Sequence, residues 1–543
     1  MKAARLRNME LMTRTHHSCI LAPIAVVLAA SLGFCGTDSV SIHRGELRRQ
    51  GGSWTEQIHC HMPANPGERL TLRASPGSIH VGTDSMHGID CHLRLTAYSR
   101  DSEQAKRCLD SYQLKAVRLG GGAFVEGKFS CGRPPGWLNA HFDLHVPLKF
   151  NLDLKTQGGN VDIANLDGQL VVETAGGDIH TGNIGGPVTV STSGGMINLG
   201  NIDQNVEVRT AGGNIRVGNV NGNAVLDTRG GQIMAGIVNG LVRAETGGGD
   251  IILQAASGPV VVETAGGQIH LGQCGNTVRA QTAGGNIQVA GARGGVKVQT
   301  AGGSIDLLQA MSSILAQTSA GRILAQIDAN RSTFGPSRLE TQVGDVDVFL
   351  PPTLPVSINA SIAHALGHRI VSDFPLKIQK DGGNFMIGSV RGEGAVNGGG
   401  SDLVIHTLMG NIQIRKLDPS AVAQLKSLQQ DFWKQWQENE RQREMAFRQF
   451  EDLQRRLERQ RTALERQLRQ SDAQRAAEIE EQIESQRATL QKQLQEIDQV
   501  RFETLEQQLE NQREILRKQL REMNRQLQKQ IQQEVQNVDD ENE

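Results

Sequence analysis

The residue types best suited to chemistry in this chain gather in three short stretches: His59-Cys60-His61 with Cys91-His92, the run Gly247 to Asp250, and His364 with His368. Imidazole and thiolate are zinc ligands, so the first stretch raises the question of a metal centre. Successive residues on a strand point to opposite faces, however, and the neighbours His59, Cys60 and His61 cannot converge on one ion. The cysteines there read as disulfide partners and the histidines as surface residues. The second stretch has the composition of a calcium-binding turn, which requires stacked carboxylate oxygens. The positions equivalent to Asp250 are instead Asn160, Asp178, Met196, Asn214, Gln232, Gln268, Asn286, Ser304 and Arg322. His364 and His368 are spaced for a helix, yet their segment contains Gly367 and reads as loop or strand without a third ligand. No metal and no cofactor is expected.

Acid–base catalysis would need a cleft with clustered carboxylates and a base, as in polysaccharide-cleaving solenoids. Outward positions change residue type from one repeat to the next, and no insertion interrupts the period between Gly158 and Gly321. Little remains from which to build a pocket, so the expectation is a protein that is not an enzyme, with a carbohydrate-active enzyme as the distant alternative. The cations Arg243, Arg279 and Lys297 fall at outward positions and form the candidate binding face.

What positions these residues is a repeat. Threonine recurs every 18 residues at Thr156, Thr174, Thr192, Thr210, Thr228, Thr246, Thr264, Thr282, Thr300 and Thr318. A glycine corner follows each, and then an apolar column: Val161, Ile179, Ile197, Ile215, Ile233, Ile251, Ile269, Ile287, Ile305 and Ile323. Alternation on both sides of the corner, as in Val206-Glu207-Val208, marks strands with one buried face. The glycine pairs are expected to supply positive φ and close approach of successive turns. One turn cannot bury its own apolar residues, so the turns must stack. Ten layers make a rod of about 48 Å. The fold class is therefore an all-β solenoid, a β-helix of 18-residue turns, right-handed or flattened. A third column through Leu166, Ile184, Ile202, Val220, Val238 and Ala256 keeps a triangular left-handed coil open.

Composition agrees with thin regular layers, because 62 Gly stand against only 13 Phe, 4 Trp and 2 Tyr. A net charge of −2 gives no bias toward nucleic acid, and no nucleic-acid partner is expected. Residues 1–35, with Lys2, Arg5, Arg7 and Arg14 before the apolar run from Ile20 to Phe34, read as an export signal. Membrane contact is expected only through that segment if it is retained. Bulky Phe34 disfavours lipidation at Cys35. The expected location is periplasm, outer-membrane surface or extracellular space. Residues 36–150 read as an N-terminal cap whose Cys60, Cys91, Cys108 and Cys131 suggest two disulfides of undetermined pairing. Cys274 reads as a small buried apolar residue. The solenoid occupies 151–330 and a C-terminal cap 331–416, where Pro351, Pro352 and Pro355 interrupt pairing.

Val146-Pro147 leading into a strand, the repeated Thr-Ala-Gly-Gly-Asn-Ile, and the closing segment Thr407 to Ile414 together resemble the bacterial putative-adhesin domain family over residues 70–416. That resemblance implies an extracytoplasmic β-solenoid without catalytic residues.

Residues 417–536 lack glycine after the break at Pro419, are rich in Gln, Glu, Arg and Leu, and read as a coiled-coil extension to that domain. Unbroken, its helix would run about 170 Å. Leu453, Leu457, Leu464 and Leu468, then Leu505, Leu509, Leu516 and Leu520, follow an eleven-residue period, which makes a nearly straight seam. So thin a stripe needs a partner, and self-association is the first expectation. Trp433 and Trp436 at its start read as packing residues. An acidic, disordered tail is expected at 537–543. The leading functional expectation is an adhesin-like or scaffold protein that presents the solenoid to a glycan, matrix or envelope protein and multimerises for avidity. The alternative is an envelope assembly or spacer protein whose helix binds a partner.

Overall fold

A computed structural model describes residues 40–50, 53–85, 88–99, 101–129, 138–381 and 388–417. The export segment, Cys35, Cys131, the coiled-coil helix and the acidic tail lie outside these residues, apart from residue 417. Within them the chain is almost entirely strand, and its helix Ser102–Asp110 is capped by the Asp101 carboxylate, which accepts from the Glu103 N–H at 3.0 Å.

One turn shows how the sequence makes the coil. Val188–Thr192 forms a strand with Val188, Val190 and Thr192 buried, Gly194 and Gly195 turn the corner, and Ile197–Leu199 forms a second strand burying Ile197 and Leu199. The next turn pairs in parallel 18 residues later, with Val188 on Val206, Thr192 on Thr210 and Ile197 on Ile215. Like side chains therefore stack on like, and the isoleucine column from Ile179 to Ile323 is essentially excluded from solvent. Burying each is worth roughly 1.5–3 kcal/mol.

The third column resolves along the rod. Leu166, Ile184, Ile202, Val220 and Val238 are joined by single parallel bridges, giving the early turns a short third side. Asn165, Asn183, Asn201 and Asn219 make that corner: each Oδ1 accepts the backbone N–H one turn on, at 2.8–2.9 Å. The asparagines end there, and Ile237, Ala255, Gln273 and Gly291 take their place. From Ile233–Val238 onward the strand runs straight through the former corner for six residues, as in Ile251–Ala256 and Ile269–Cys274.

The recurring threonine locks the glycine corner. Each buried Oγ1 donates to the glycine carbonyl of the preceding turn, as Thr246 to Gly231 at 2.7 Å and Thr318 to Gly303 at 2.9 Å. In most turns it also accepts the N–H of the second glycine of its own corner, Gly249 in the case of Thr246, at 3.3 Å. The expectation that the glycine pairs supply positive φ needs correcting, because within the ten turns only Gly159 adopts it, at +122°. Close approach is the reason instead. A Cβ on Gly249 would lie 2.1 Å from the Gly231 carbonyl oxygen, whereas one on Gly248 would meet nothing nearer than 3.9 Å.

The parallel stack runs on past residues 151 and 330. Arg69–Ser75 and Ser78–Gly82 add a layer beneath Asn151–Thr156 and Val161–Ile163, and Gly122–Phe129 with Leu138–His145 add another below that. Antiparallel strands Tyr112–Leu119, Ile89–Ala97, Ser53–Met62 and Ser41–Arg44 then close this end. Bulky buried residues, Tyr112, Phe142 and Phe150, sit at this end. At the other end Ser401–Met409 and Ile412–Lys416 slot between Ser337–Val343 with Val346–Leu350 on one side and Val356–Ile362 with Ile370–Ser372 on the other. Ser389–Val396 and the fully exposed Lys377–Asp381 finish the sheet antiparallel, with charge on the last edge to discourage further pairing.

Candidate functional site

The face carrying Arg243, Arg279 and Lys297 is built by strands whose alternate residues are core. Because Val242 and Ala244, Val278 and Ala280, and Val296 and Val298 point inward, the intervening cations must point out. Parallel register then stacks them in one column: Val225, Arg243, Val261, Arg279, Lys297, Leu315 and Arg338, each opposite the next. The structure thus brings Arg279 and Lys297 together as direct neighbours and sets Arg243 apart behind Val261.

Two residues along the same strands a second column runs Asp227, Glu245, Glu263, Gln281, Gln299, Gln317 and Glu340. It changes from carboxylate to amide midway, and this divides the cations. Arg243 lies 3.6 Å from Glu245, and Arg338 lies 2.7 Å from Glu340. Burial raises the Glu340 carboxyl, but hydrogen bonds from Arg338 and Gln317 outweigh it and hold the group below the ordinary carboxylate range. Beside Arg279 and Lys297 stand neutral Gln281 and Gln299, and among the described residues neither cation has a carboxylate within ion-pair distance. Gln299 donates to Gln317 at 2.5 Å, and Gln317 donates to Glu340 at 2.8 Å, so the amides are held in an ordered row.

The relief of this face follows from residue size. After four successive threonines the outward position is small, Gly247, Ala265, Ala283 and Ala301, and a trough with Arg229 at one end opens beside the Asp227-to-Gln299 column. A second, shallow groove is lined by Val261, Arg279, Lys297, Leu315, Ser313 and Pro336. Together they make an open, furrowed surface along the rod.

The other sequence candidates are placed as follows. Cys60 and Cys91 face each other across antiparallel strands, both buried, with their thiols hydrogen-bonded; that bond and burial push the Cys91 thiol well up. Cys108 lies on the helix Ser102–Asp110, half-buried. Cys274 is buried in the stack, which pushes its thiol up to about 12. Asp250 and its Asp and Asn equivalents serve the corner: Asp178 accepts the Met196 N–H at 2.7 Å and Asp250 that of Gln268 at 2.7 Å, as Asn160, Asn214 and Asn286 do in their turns. His364 and His368 lie in a turn through Leu366 and Gly367, both at positive φ. The pairing of amide row with unpaired cations escaped the sequence reading, although the change from Glu to Gln at Gln281 marks it. Among the described residues no helix is long and apolar enough to cross a membrane.

No protein-family model matches the chain, and no curated protein matches it. Among solved structures, it is similar to one described as a putative cell adhesion protein from Clostridium sporogenes, at 7% identity and a TM-score of 0.12, over 70% of this chain and 100% of that one. It is also similar to one described as a putative lipid binding protein from Parabacteroides distasonis, at 14% identity and a TM-score of 0.20, over 55% of this chain and 97% of that one.

Proposed function

We propose that this chain is a non-enzymatic envelope or surface protein that binds an extended anionic glycan along the Arg279–Lys297 face. The carrying observation is the in-register pair of exposed cations flanked by a row of neutral amides. Carboxylate or sulfate groups of a glycan would meet the cations, and its hydroxyls would meet Gln281 and Gln299, which both donate and accept. Val261 and Leu315 on either side offer apolar contact for the faces of sugar rings. The parallel stack sets Gln281, Gln299 and Gln317 in three successive layers beside Arg279 and Lys297 in two, about 4.8 Å apart, which suits an extended ligand better than a compact one. The carboxylates Asp227, Glu245 and Glu263 line one wall of the trough, and the opposite wall carries Arg229 and small residues but no second carboxylate, whereas hydrolysis needs acidic groups on both sides of the scissile bond.

On this reading residues 1–35 export the chain, and residues 417–536 multimerise it, so that weak single-site contacts combine. Membership of the bacterial putative-adhesin domain family belongs to the same proposal. The test is binding of the full chain to an array of neutral and acidic glycans. Binding to acidic members that weakens steeply with salt, and falls at least about tenfold in R279E/K297E, is expected. Undiminished binding in that variant overturns the assignment of this face, and turnover of any glycan overturns the non-enzymatic reading.

A further inference from the structure

Eight of the chain's fifteen histidines stand on one outward face, around the N-terminal end of the sheet that includes Ile179–Thr181. Antiparallel register puts His43 opposite His59, His59 opposite His92, and His92 opposite Asp143. The row continues through His80 and Asp162 to His180. From His92 onward it alternates imidazole with carboxylate. The adjoining row behaves likewise: His61 Nδ1 is 2.6 Å from Asp90, and His145 Nδ1 is 2.6 Å from Asp84. Each of these imidazoles has an acid for a neighbour.

The contact between His59 and His92 departs from this pattern. Their Nδ1 atoms lie 2.6 Å apart with the rings edge to face, and no carboxylate intervenes. At that separation one Nδ1–H must donate to the other Nδ1, so two lone-pair sites converge around a single proton. Beside them Asp143 Oδ1 is buried without a hydrogen-bond donor; His145 Nε2 comes no closer than 3.8 Å. Convergence arises across strands, between residues 33 apart in sequence, and not between neighbours along one strand.

We propose that His59 and His92, with Asp143 beside them, bind a divalent transition-metal ion of the imidazole-preferring class, such as Zn2+ or Cu2+. The ion takes the place of the shared proton, which passes to Nε2 of the donating ring, so that both imidazoles bind through Nδ1 as neutral Nε2–H tautomers. Tetrahedral zinc with bonds of 2.0–2.1 Å needs the two nitrogens about 3.3 Å apart, a sub-ångström opening for two exposed side chains. Among the described residues no three His, Cys, Asp or Glu side chains already form a complete ligand set. The pair is therefore the anchor, and the Asp143 carboxylate and water fill the remaining positions. Hard oxygen-seeking ions, Mg2+ and Ca2+, find only one carboxylate here and are excluded by preference.

The experiment is calorimetric titration of the chelator-stripped full chain with Zn2+, in two buffers of different ionisation enthalpy. Saturable uptake of about one ion, reversed by chelator and with little net proton release because the shared proton stays on its ring, is expected. His59→Gln and His92→Gln should each weaken it at least about tenfold, and Asp143→Asn less, while His180→Gln, on the same face but far along the row, leaves it unchanged. Circular dichroism establishes that each variant is folded. Absence of saturable uptake, or wild-type affinity in H59Q/H92Q, overturns the proposal.

Discussion

Replacing Thr246 by valine isolates what the recurring threonine does. Valine keeps the branched shape and the buried methyl, so the substitution removes the hydroxyl and little else. Two hydrogen bonds go with it: the 2.7 Å donation to the Gly231 carbonyl, and the 3.3 Å bond from the Gly249 N–H. The first is well formed and is worth about 0.5–1.5 kcal/mol net, with a further contribution if the buried carbonyl is left without a donor. The second is long and adds less. Against this, the added methyl gains about 0.8 kcal/mol of burial. The expected result is a loss of about 1–2 kcal/mol, and roughly three times as much in T228V/T246V/T264V, since each hydroxyl ties a separate pair of turns. Urea unfolding with an unchanged slope measures it, and amide exchange at Gly249 and Gly231 localises it. Stability equal to or above wild type, with unaltered exchange, would refute the corner-locking role and leave threonine as a strand-forming residue only.

Three further outcomes are expected. Gly249→Ala should destabilise by more than about 3 kcal/mol because its Cβ strikes a backbone oxygen, while Gly248→Ala should change unfolding by less than about 0.5 kcal/mol. In chain recovered from an oxidising compartment, Cys60 and Cys91 should form a disulfide: two thiols pass two electrons and two protons to a disulfide oxidant. Non-reducing peptide mapping detects it, and closing 31 residues should add roughly 3–4 kcal/mol; a pairing of either cysteine elsewhere contradicts the register. Burial holds the His180 imidazole down at about 4, below its unfolded value near 6.5. The unfolded chain therefore takes up the proton first, so stability is complete above pH 6.5 and declines as pH falls toward 4. His180→Gln should flatten that decline in thermal melts between those values, and an unchanged acid limb would count against it.

The stack was legible because an 18-residue period returns each residue type to the same neighbour. The isoleucine column and the outward cations both follow from that single regularity. What escaped depends on partners that the period does not name. Thr246 reaches a carbonyl 15 residues upstream, and nothing in the side-chain pattern distinguishes that from mere strand propensity. The asparagines at 165, 183, 201 and 219 went unread beside the third apolar column, because their role as a bend shows only in the backbone N–H each accepts and in the longer strand that follows their loss at Ile237. The histidine pair lies in the antiparallel end, where register is set by loops of irregular length. His59 opposite His92 could not be read from spacing alone.

The order of layers at the C-terminal end bears on how the chain comes to be folded. Ser401–Met409 and Ile412–Lys416 are written last among the described strands, yet they lie one layer inside Val356–Ile362 and Ile370–Ser372. A ribosome or translocation channel delivers the chain from its N-terminus, so turns up to Leu350 can assemble as they emerge. The next rung is still absent when the strands meant to cover it arrive. Until residue 416 is delivered, the growing rod ends in an open row of backbone donors and acceptors. Closure therefore comes as one late event, in which the final strands are seated and the outer pair settles over them.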